Sequence, residues 1–429
     1  MSLFRRLMYG SFFNSLAIAF NQGSTFAVNL AIAHLVSQKS FGEYAMAYNT
    51  LLTICVVGQL AIGTAATKYL SECKVFAKDR AGRIIGLCYV ISLLTAVFIS
   101  FFLWFKASWI AEAMLNSSDL ASLIKLGAFF VFFAALNGCQ VGILTGLEGF
   151  KELAVAGIFS GCFSFLFVFT GAWLDDLSGA FLGLGLGSFV RFCIHSYFVF
   201  LKTSALEIKP IVSDLALEIG VFLKFALPAA IGGLFSMPMA WLAHSFLIKC
   251  HNGYFEMSLY ASSFSLRAVF LFFPQIINNV ALTILSGAQG AKDKELYRKA
   301  FFEGNRLTIV SLFITFLIGF CFAPFWLGLF GKNYLVGTKV FRMLVFSTIF
   351  EGLSISLFQH IQVKEKLWKS LLIINVPREV TFVVIAFILV DNYGAMGLSI
   401  AYVICWLLTF IILYFAVQPD MEENCRTKI

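Results

Sequence analysis

Residues 202–220 read KTSALEIKPIVSDLALEIG. Lys202, Glu207, Lys209, Asp214 and Glu218 crowd this interval and Pro210 interrupts it, whereas long apolar runs follow one another almost without a break on either side. Charges at this density do not reside in hydrocarbon. The stretch therefore reads as an aqueous tether between two apolar halves.

The rest of the chain fits that division. Of 429 residues, 60% are hydrophobic and 13% charged, and the mean hydropathy is +0.89. Polar groups this scarce cannot cover a water-soluble surface, so the class is a polytopic membrane protein. Helices satisfy their own backbone hydrogen bonds in lipid and need about 20 apolar residues to cross it. The expected fold is all-α, with twelve spans near 11–36, 43–67, 84–105, 124–147, 153–174, 179–201, 221–248, 258–286, 308–330, 340–363, 370–390 and 394–417. The expected organisation is an N-terminal six-helix lobe over 1–201, a cytoplasmic linker over 202–220, a C-terminal six-helix lobe over 221–417 and a tail over 418–429.

Placing the N-terminus inside puts 21 of the 31 Lys and Arg residues in cytoplasmic segments, including the cluster from Lys68 to Arg83 and the one from Lys292 to Arg306. That bias predicts both termini on the cytoplasmic side of an inner membrane. The first span follows Arg5 and Arg6 but is too long for a signal-peptide core, so it stays as an anchor. The net charge of +8 is spread over loops without a basic domain, which argues against nucleic acid as a partner. Neither the cysteines nor the histidines have metal-ligand spacing, and no nucleotide-binding loop occurs, so no cofactor is expected.

An internal repeat is visible at an offset of 216, which sets Tyr44-Ala45 on Tyr260-Ala261, Thr67 on Thr283 and Asp175 on Asp391. An offset of 215 sets Ser178-Gly179-Ala180 on Tyr393-Gly394-Ala395. Six spans per repeat is an even number, so the two halves enter the membrane the same way up. A substrate site near the midplane between such halves is the expectation.

Within the spans, Asn14, Asn21 and Thr25 share one face of the first helix, which has no carboxylate. They suit either a polar interior or hydrogen bonds to neighbouring helices. Ala61, Gly63, Ala65 and Ala66 suit close helix contact, residues 106–123 suggest a short helix at the outer interface, and Asp175-Asp176 marks a tight turn. The most informative residues are ionisable groups at membrane depth, because an unpaired charge there costs several kcal/mol. These are Arg191, Arg267, Glu351, Arg378 and Glu379, with Lys224 at the mouth of the seventh span. Arg267 shares its helix face with Pro274 and Asn278, and Arg378 follows Asn375 and Pro377. Arg378 and Glu379 stand about 100° apart on their helix and are not expected to neutralise each other. The alternative is that these acids and bases pair as struts between helices. The positive excess in the C-terminal half points to an anionic ligand, with Lys224, Arg267, Asn278, Arg378, Arg191 and Asn21 as its candidate contacts.

Gly42-Glu43-Tyr44-Ala45 in the second span, Lys224-Phe225-Ala226-Leu227-Pro228 in the seventh, Tyr260-Ala261 and Tyr393-Gly394-Ala395 together resemble the polysaccharide transporters of the multidrug/oligosaccharidyl-lipid/polysaccharide flippase superfamily, O-antigen flippases in particular. The likeness covers essentially the whole chain. It implies a pair of six-helix lobes that moves undecaprenyl-pyrophosphate-linked oligosaccharide to the periplasmic leaflet by alternating access, with membrane lipids and an O-antigen polymerase as further partners. It implies no covalent chemistry. A cation-coupled drug exporter of the multidrug and toxin extrusion type is the alternative, opposed by the missing acid in the first span. A membrane-embedded sugar polymerase or ligase is a third reading, opposed by the sixfold repeat.

Overall fold

Apolar runs of twenty or more residues, with turn residues only at their ends, leave the backbone no partner but itself and so form helices. The computed structural model describes residues 3–59, 61–74, 76–290, 293–363 and 371–426, and their side chains except at 3–12, 14, 221–234, 290, 294, 362–363 and 419–426. The described elements are helical throughout: α1 (Leu3–Leu35), α2 (Gln38–Gln59), α3 (Ile62–Cys73), α4 (Lys78–Trp109), α5 (Ala121–Gly146), α6 (Phe150–Ala205), α7 (Ala216–Lys249), α8 (Gly253–Gly290), α9 (Lys294–Cys321), α10 (Ala323–Gly328), α11 (Thr338–Val363) and α12 (Val376–Arg426). Among the described residues eight helical stretches are long and apolar enough to cross a membrane, or nine when α2 and α3 count as one broken span.

The packing faces are those of a protein dissolved in lipid. On α4 the small or aliphatic side chains Ser92, Ala96, Ile99, Leu103 and Ala107 are buried, while Leu94, Phe98, Phe101 and Phe105 are exposed. Large rings outward and small residues inward is the arrangement that lets helices approach where lipid already satisfies apolar surface.

Two of the long helices fold back on themselves. α6 leaves helical geometry at Asp175 (φ −149°, ψ 45°) and Asp176 (φ 41°, ψ −128°). Past that turn Gly179 lies against Gly171, Gly183 against Phe167 and Gly187 against Ser164, the register of an antiparallel hairpin. α12 turns at Gly394 with nearly the same dihedrals as Asp176, φ 52° and ψ −132°, and Gly397 then meets Leu389. The structural counterpart of Gly394 is thus Asp176, three positions before the Gly179 that the sequence offset selects.

Other boundaries differ from the sequence expectation for local reasons. The ninth helix starts at Lys294, capped by the Asp293 carboxylate accepting from the Leu296 amide at 2.9 Å, and stops before Pro324 instead of reaching residue 330. The region 106–123 holds no separate interfacial helix: α4 runs on through a π-turn, Ile110–Met114, with Ile110 and Ala111 buried, and a short 3-10 turn follows at Ser118–Leu120. In the basic segment after α3, Lys74 is buried, donating to the Gly146 carbonyl at 3.0 Å and to Glu148 at 2.7 Å. A cation there closes the C-terminus of α5.

The chain forms two compact units, Leu16–Trp241 and Leu242–Ile429 with Met1–Ser15, so the division falls inside both α1 and α7. In the first, α3 and α5 meet through Gly63, Gly138 and Gly142, where a methyl on Gly142 would overlap the Gly63 carbonyl, and Thr67 Oγ1 donates to the Gly142 carbonyl at 3.0 Å. In the second, α8, α9, α11 and α12 pack together.

The tether is part of the first unit. α6 runs to Ala205 and α7 begins at Ala216. Between them Ile208 is buried in the cluster of Ile85 and Cys88, the Ile211 amide donates to the Gly82 carbonyl at 3.0 Å, and Glu207 accepts from Lys78 at 2.6 Å. Glu218, at the start of α7, is buried between Arg80 (3.1 Å) and Arg83 (3.4 Å).

Candidate functional site

The most concentrated polar chemistry lies in the second unit, where α8, α11 and both limbs of α12 meet. Tyr260, Ser263, Phe264 and Arg267 recur at helical spacing and so share one face of α8. Arg267 is 4% exposed. Its Nη2 donates to the Tyr402 hydroxyl at 2.8 Å and pairs with the Glu351 carboxylate, to which Tyr402 donates in turn at 3.3 Å. The guanidinium lies 4.7 Å from the ring centroids of both Phe264 and Tyr402. Burial of this cation is therefore compensated by a carboxylate, a phenol and two ring faces. Arg267 is not the unpaired charge that its position in the sequence suggests.

Arg378 repeats the pattern. Its Nη2 reaches Glu379 at 2.6 Å and its Nε at 3.1 Å, and its guanidinium lies 4.7 Å from the centroid of Trp406. Adjacent residues point about 100° apart on a helix, yet the long arginine side chain curls back across that angle. The pair does neutralise itself, contrary to the sequence reading. Neither of these two guanidinium groups leaves a net charge.

Asn278 is buried further along α8, accepting from Thr308 Oγ1 of α9 at 3.2 Å through its side chain and from Gln359 Nε2 of α11 at 2.7 Å through its main-chain oxygen. It ties three helices together.

The first unit has a different polar interior. Asn137 donates to the Ser188 carbonyl at 3.1 Å and lies 3.3 Å from His195 Nδ1, and Gln140 donates to Ser196 Oγ at 2.7 Å. These bonds join α5 to the second limb of α6. Arg191, on the same limb, donates to Asn21 Oδ1 of α1 at 3.4 Å, and among the described residues no ion pair involves it. Asn21 is exposed, and its main-chain oxygen accepts from Thr25 at 3.0 Å. The structure thus brings Arg191 and Asn21 together, and Arg267 and Arg378 into one aromatic cluster with Glu351 and Glu379. It keeps Asn278 in a separate helix junction. Lys224 lies outside the residues whose side chains are described.

Sequence reasoning did not single out Tyr402, Trp406 and Phe264. Tyr402 and Trp406 are four apart on the last span, a usable signal only once that face is known to meet Arg267 and Arg378.

No protein-family model matches the chain. It is 23% identical over 418 residues, covering 95% of this chain and 92% of the relative, to the EPS I polysaccharide export inner membrane protein EpsE of Ralstonia nicotianae. Among solved structures it is similar to the inward-facing conformation of a multidrug resistance MATE family transporter of the MOP superfamily, with a TM-score of 0.80 at 15% identity over 97% of this chain and 100% of that one. It is also similar to a MOP superfamily transporter from Pyrococcus furiosus, with a TM-score of 0.71 at 16% identity over 98% and 96%. The chain therefore has the fold of MOP superfamily transporters and is similar along most of its length to a polysaccharide export inner membrane protein.

Proposed function

We propose that the protein is an inner-membrane flippase that carries undecaprenyl-pyrophosphate-linked oligosaccharide from the cytoplasmic to the periplasmic leaflet by alternating access. The observation that carries this reading is the likeness to a polysaccharide export protein over more than nine-tenths of both chains. In this reading α2 with α3 forms one span, α7 adds another and the two hairpin helices each supply two, giving twelve in two like-facing lobes over 1–201 and 221–417, joined by the linker 202–220 and followed by the tail 418–429. The distribution of basic residues favours cytoplasmic termini.

The pyrophosphate is assigned to Arg191 and Asn21, with Lys224 as a further cation. A guanidinium without a carboxylate partner, next to an exposed amide, has donors to offer an anion. Arg267 and Arg378 enter only as halves of ion pairs, and Asn278 as a helix junction beside them.

Arg191→Gln, expressed in cells lacking the native chain, is expected to lower polysaccharide export about tenfold or more, as for loss of a charge-assisted contact. Lipid-linked units should accumulate on the inner leaflet. Full export at normal protein abundance would remove Arg191 from the site, and full export without the chain would remove the function. A drug-exporter reading is favoured by the likeness to a multidrug resistance transporter, but α1 has no Asp or Glu. Altered drug sensitivity of the deletion strain, with export intact, would establish that reading instead.

A further inference from the structure

The cluster in the second unit has a composition that the pyrophosphate assignment does not use. Two guanidinium groups and two carboxylates cancel, so a phosphate gains no net attraction there unless it displaces Glu351 or Glu379. What the cluster does present is aromatic surface. Phe264, Tyr402 and Trp406 are only half-buried. Their rings form a continuous row, with centroids 5.7 Å apart from Phe264 to Tyr402 and 6.3 Å apart from Tyr402 to Trp406. Phe382 backs the row, buried and edge-on to Tyr402 at 5.6 Å. The two guanidinium planes are fixed on these rings by their carboxylates. Buried polar atoms without a hydrogen-bond partner among the described residues accompany them: Arg267 Nε, the Tyr260 hydroxyl, Ser263 Oγ and Ser354 Oγ.

A neutral ligand with apolar flats and many hydroxyls matches this surface. Pyranose rings stack their C–H faces on aromatic rings, while hydroxyls bond to carboxylates and guanidinium groups held in place beforehand. We propose that the row Phe264–Tyr402–Trp406, with its two Arg–Glu pairs, is a saccharide-binding platform that reads the sugar portion of the transported lipid. This rests on the flippase reading and adds to it a division of labour, in which the sugar is recognised by a neutral aromatic site and the pyrophosphate elsewhere.

The test uses the full-length protein in lipid nanodiscs and two probes, undecaprenyl pyrophosphate and the same lipid bearing one N-acetylglucosamine. The native protein should bind the sugar-bearing lipid about tenfold more tightly, the scale of one well-placed aromatic contact. Trp406→Ala should abolish that difference and leave the affinity for the bare lipid unchanged, which also shows the variant to be folded, and Trp406→Phe should retain most of it. Equal weakening toward both probes, or a preserved difference, overturns the platform. Should Trp406→Ala not assemble, Arg378→Lys keeps the charge but removes the flat guanidinium. An undiminished preference for the sugar-bearing lipid in that variant overturns the proposal as well. Binding of neither probe by the native protein overturns the flippase reading itself.

Discussion

The offset of 216 that places Tyr44 on Tyr260 also places Leu51 opposite Arg267 and Ala135 opposite Glu351. All four are buried. One unit therefore has aliphatic side chains where the other has an ion pair, and the contrast extends outward. The first unit brings α3 against α5 through backbone contact at glycines, whereas the second links α8, α9 and α11 through Asn278, Thr308 and Gln359. Described ion pairs of the first unit lie near helix ends and in the tether, as with Lys74–Glu148 and Arg80–Glu218, while the second unit has two among its transmembrane helices. At these offset positions the two units carry different chemistries. The second unit pairs Arg267 and Arg378 with carboxylates, and the first keeps Arg191 without one among the described residues.

The sharpest way to break this comparison is to remove one side of the buried pair. Glu351→Ala leaves the Arg267 charge with only a phenol and two ring faces, at an expected cost of about 3–5 kcal/mol in stability. Thermal unfolding of the purified protein in detergent measures it. The double variant Arg267→Met/Glu351→Leu imitates the aliphatic first unit and should recover most of the loss. A double variant as unstable as the single one would mean that the pair is not what distinguishes the two cores.

A smaller effect is expected at the hairpin turns, where the units share a conformation but not a residue. Positive φ with strongly negative ψ suits glycine and strains a residue with a Cβ. Asp176→Gly should therefore stabilise the protein by about 1 kcal/mol. Gly394→Ala should destabilise it by about 1–3 kcal/mol, the more so because a Cβ there would press on Glu256, whose carboxylate accepts from the Ala395 amide at 2.8 Å. Destabilisation by Asp176→Gly would show that the aspartate holds its turn by contacts of its own.

The smallest effect concerns the tether. The hydrogen bond and the charge of Lys78 hold the Glu207 carboxyl below its ordinary value of 4.5. A depressed carboxylate contributes at neutral pH, and its contribution is lost as the pH falls through the lowered value. Hydrogen exchange at the Ile211 amide, corrected for its intrinsic rate, should accelerate below the ordinary carboxylate range. Lys78→Met should give the faster exchange already at neutral pH. No pH dependence in the native protein would assign the hold on the tether to the Gly82 carbonyl and the burial of Ile208.

Much of the architecture could be read in the chain because lipid imposes a length and a polarity on every crossing helix. Asp175-Asp176 stood out as a turn because no apolar run contains it, and residues 391–393 separate the apolar runs 370–390 and 394–417. The site was less legible. Arg267 looked unpaired because Glu351 is 84 positions away, and nothing in either span says that α8 packs on α11. Arg378 looked independent of Glu379 because a helical wheel records where Cβ points and not where a six-atom side chain ends. Lys74 and Glu218 looked like solvent charges, since composition alone cannot distinguish a loop from a strap.

The strap changes what the connection between the units is mechanically. A sequence count gives 19 residues of slack in 202–220, but fastenings at Glu207, Ile211 and Glu218 take up that play. Beyond Glu218 the connection is helix, stiff along its axis and without spare length. The linker is thus a fastened part of the first unit, and its length measures no freedom of movement.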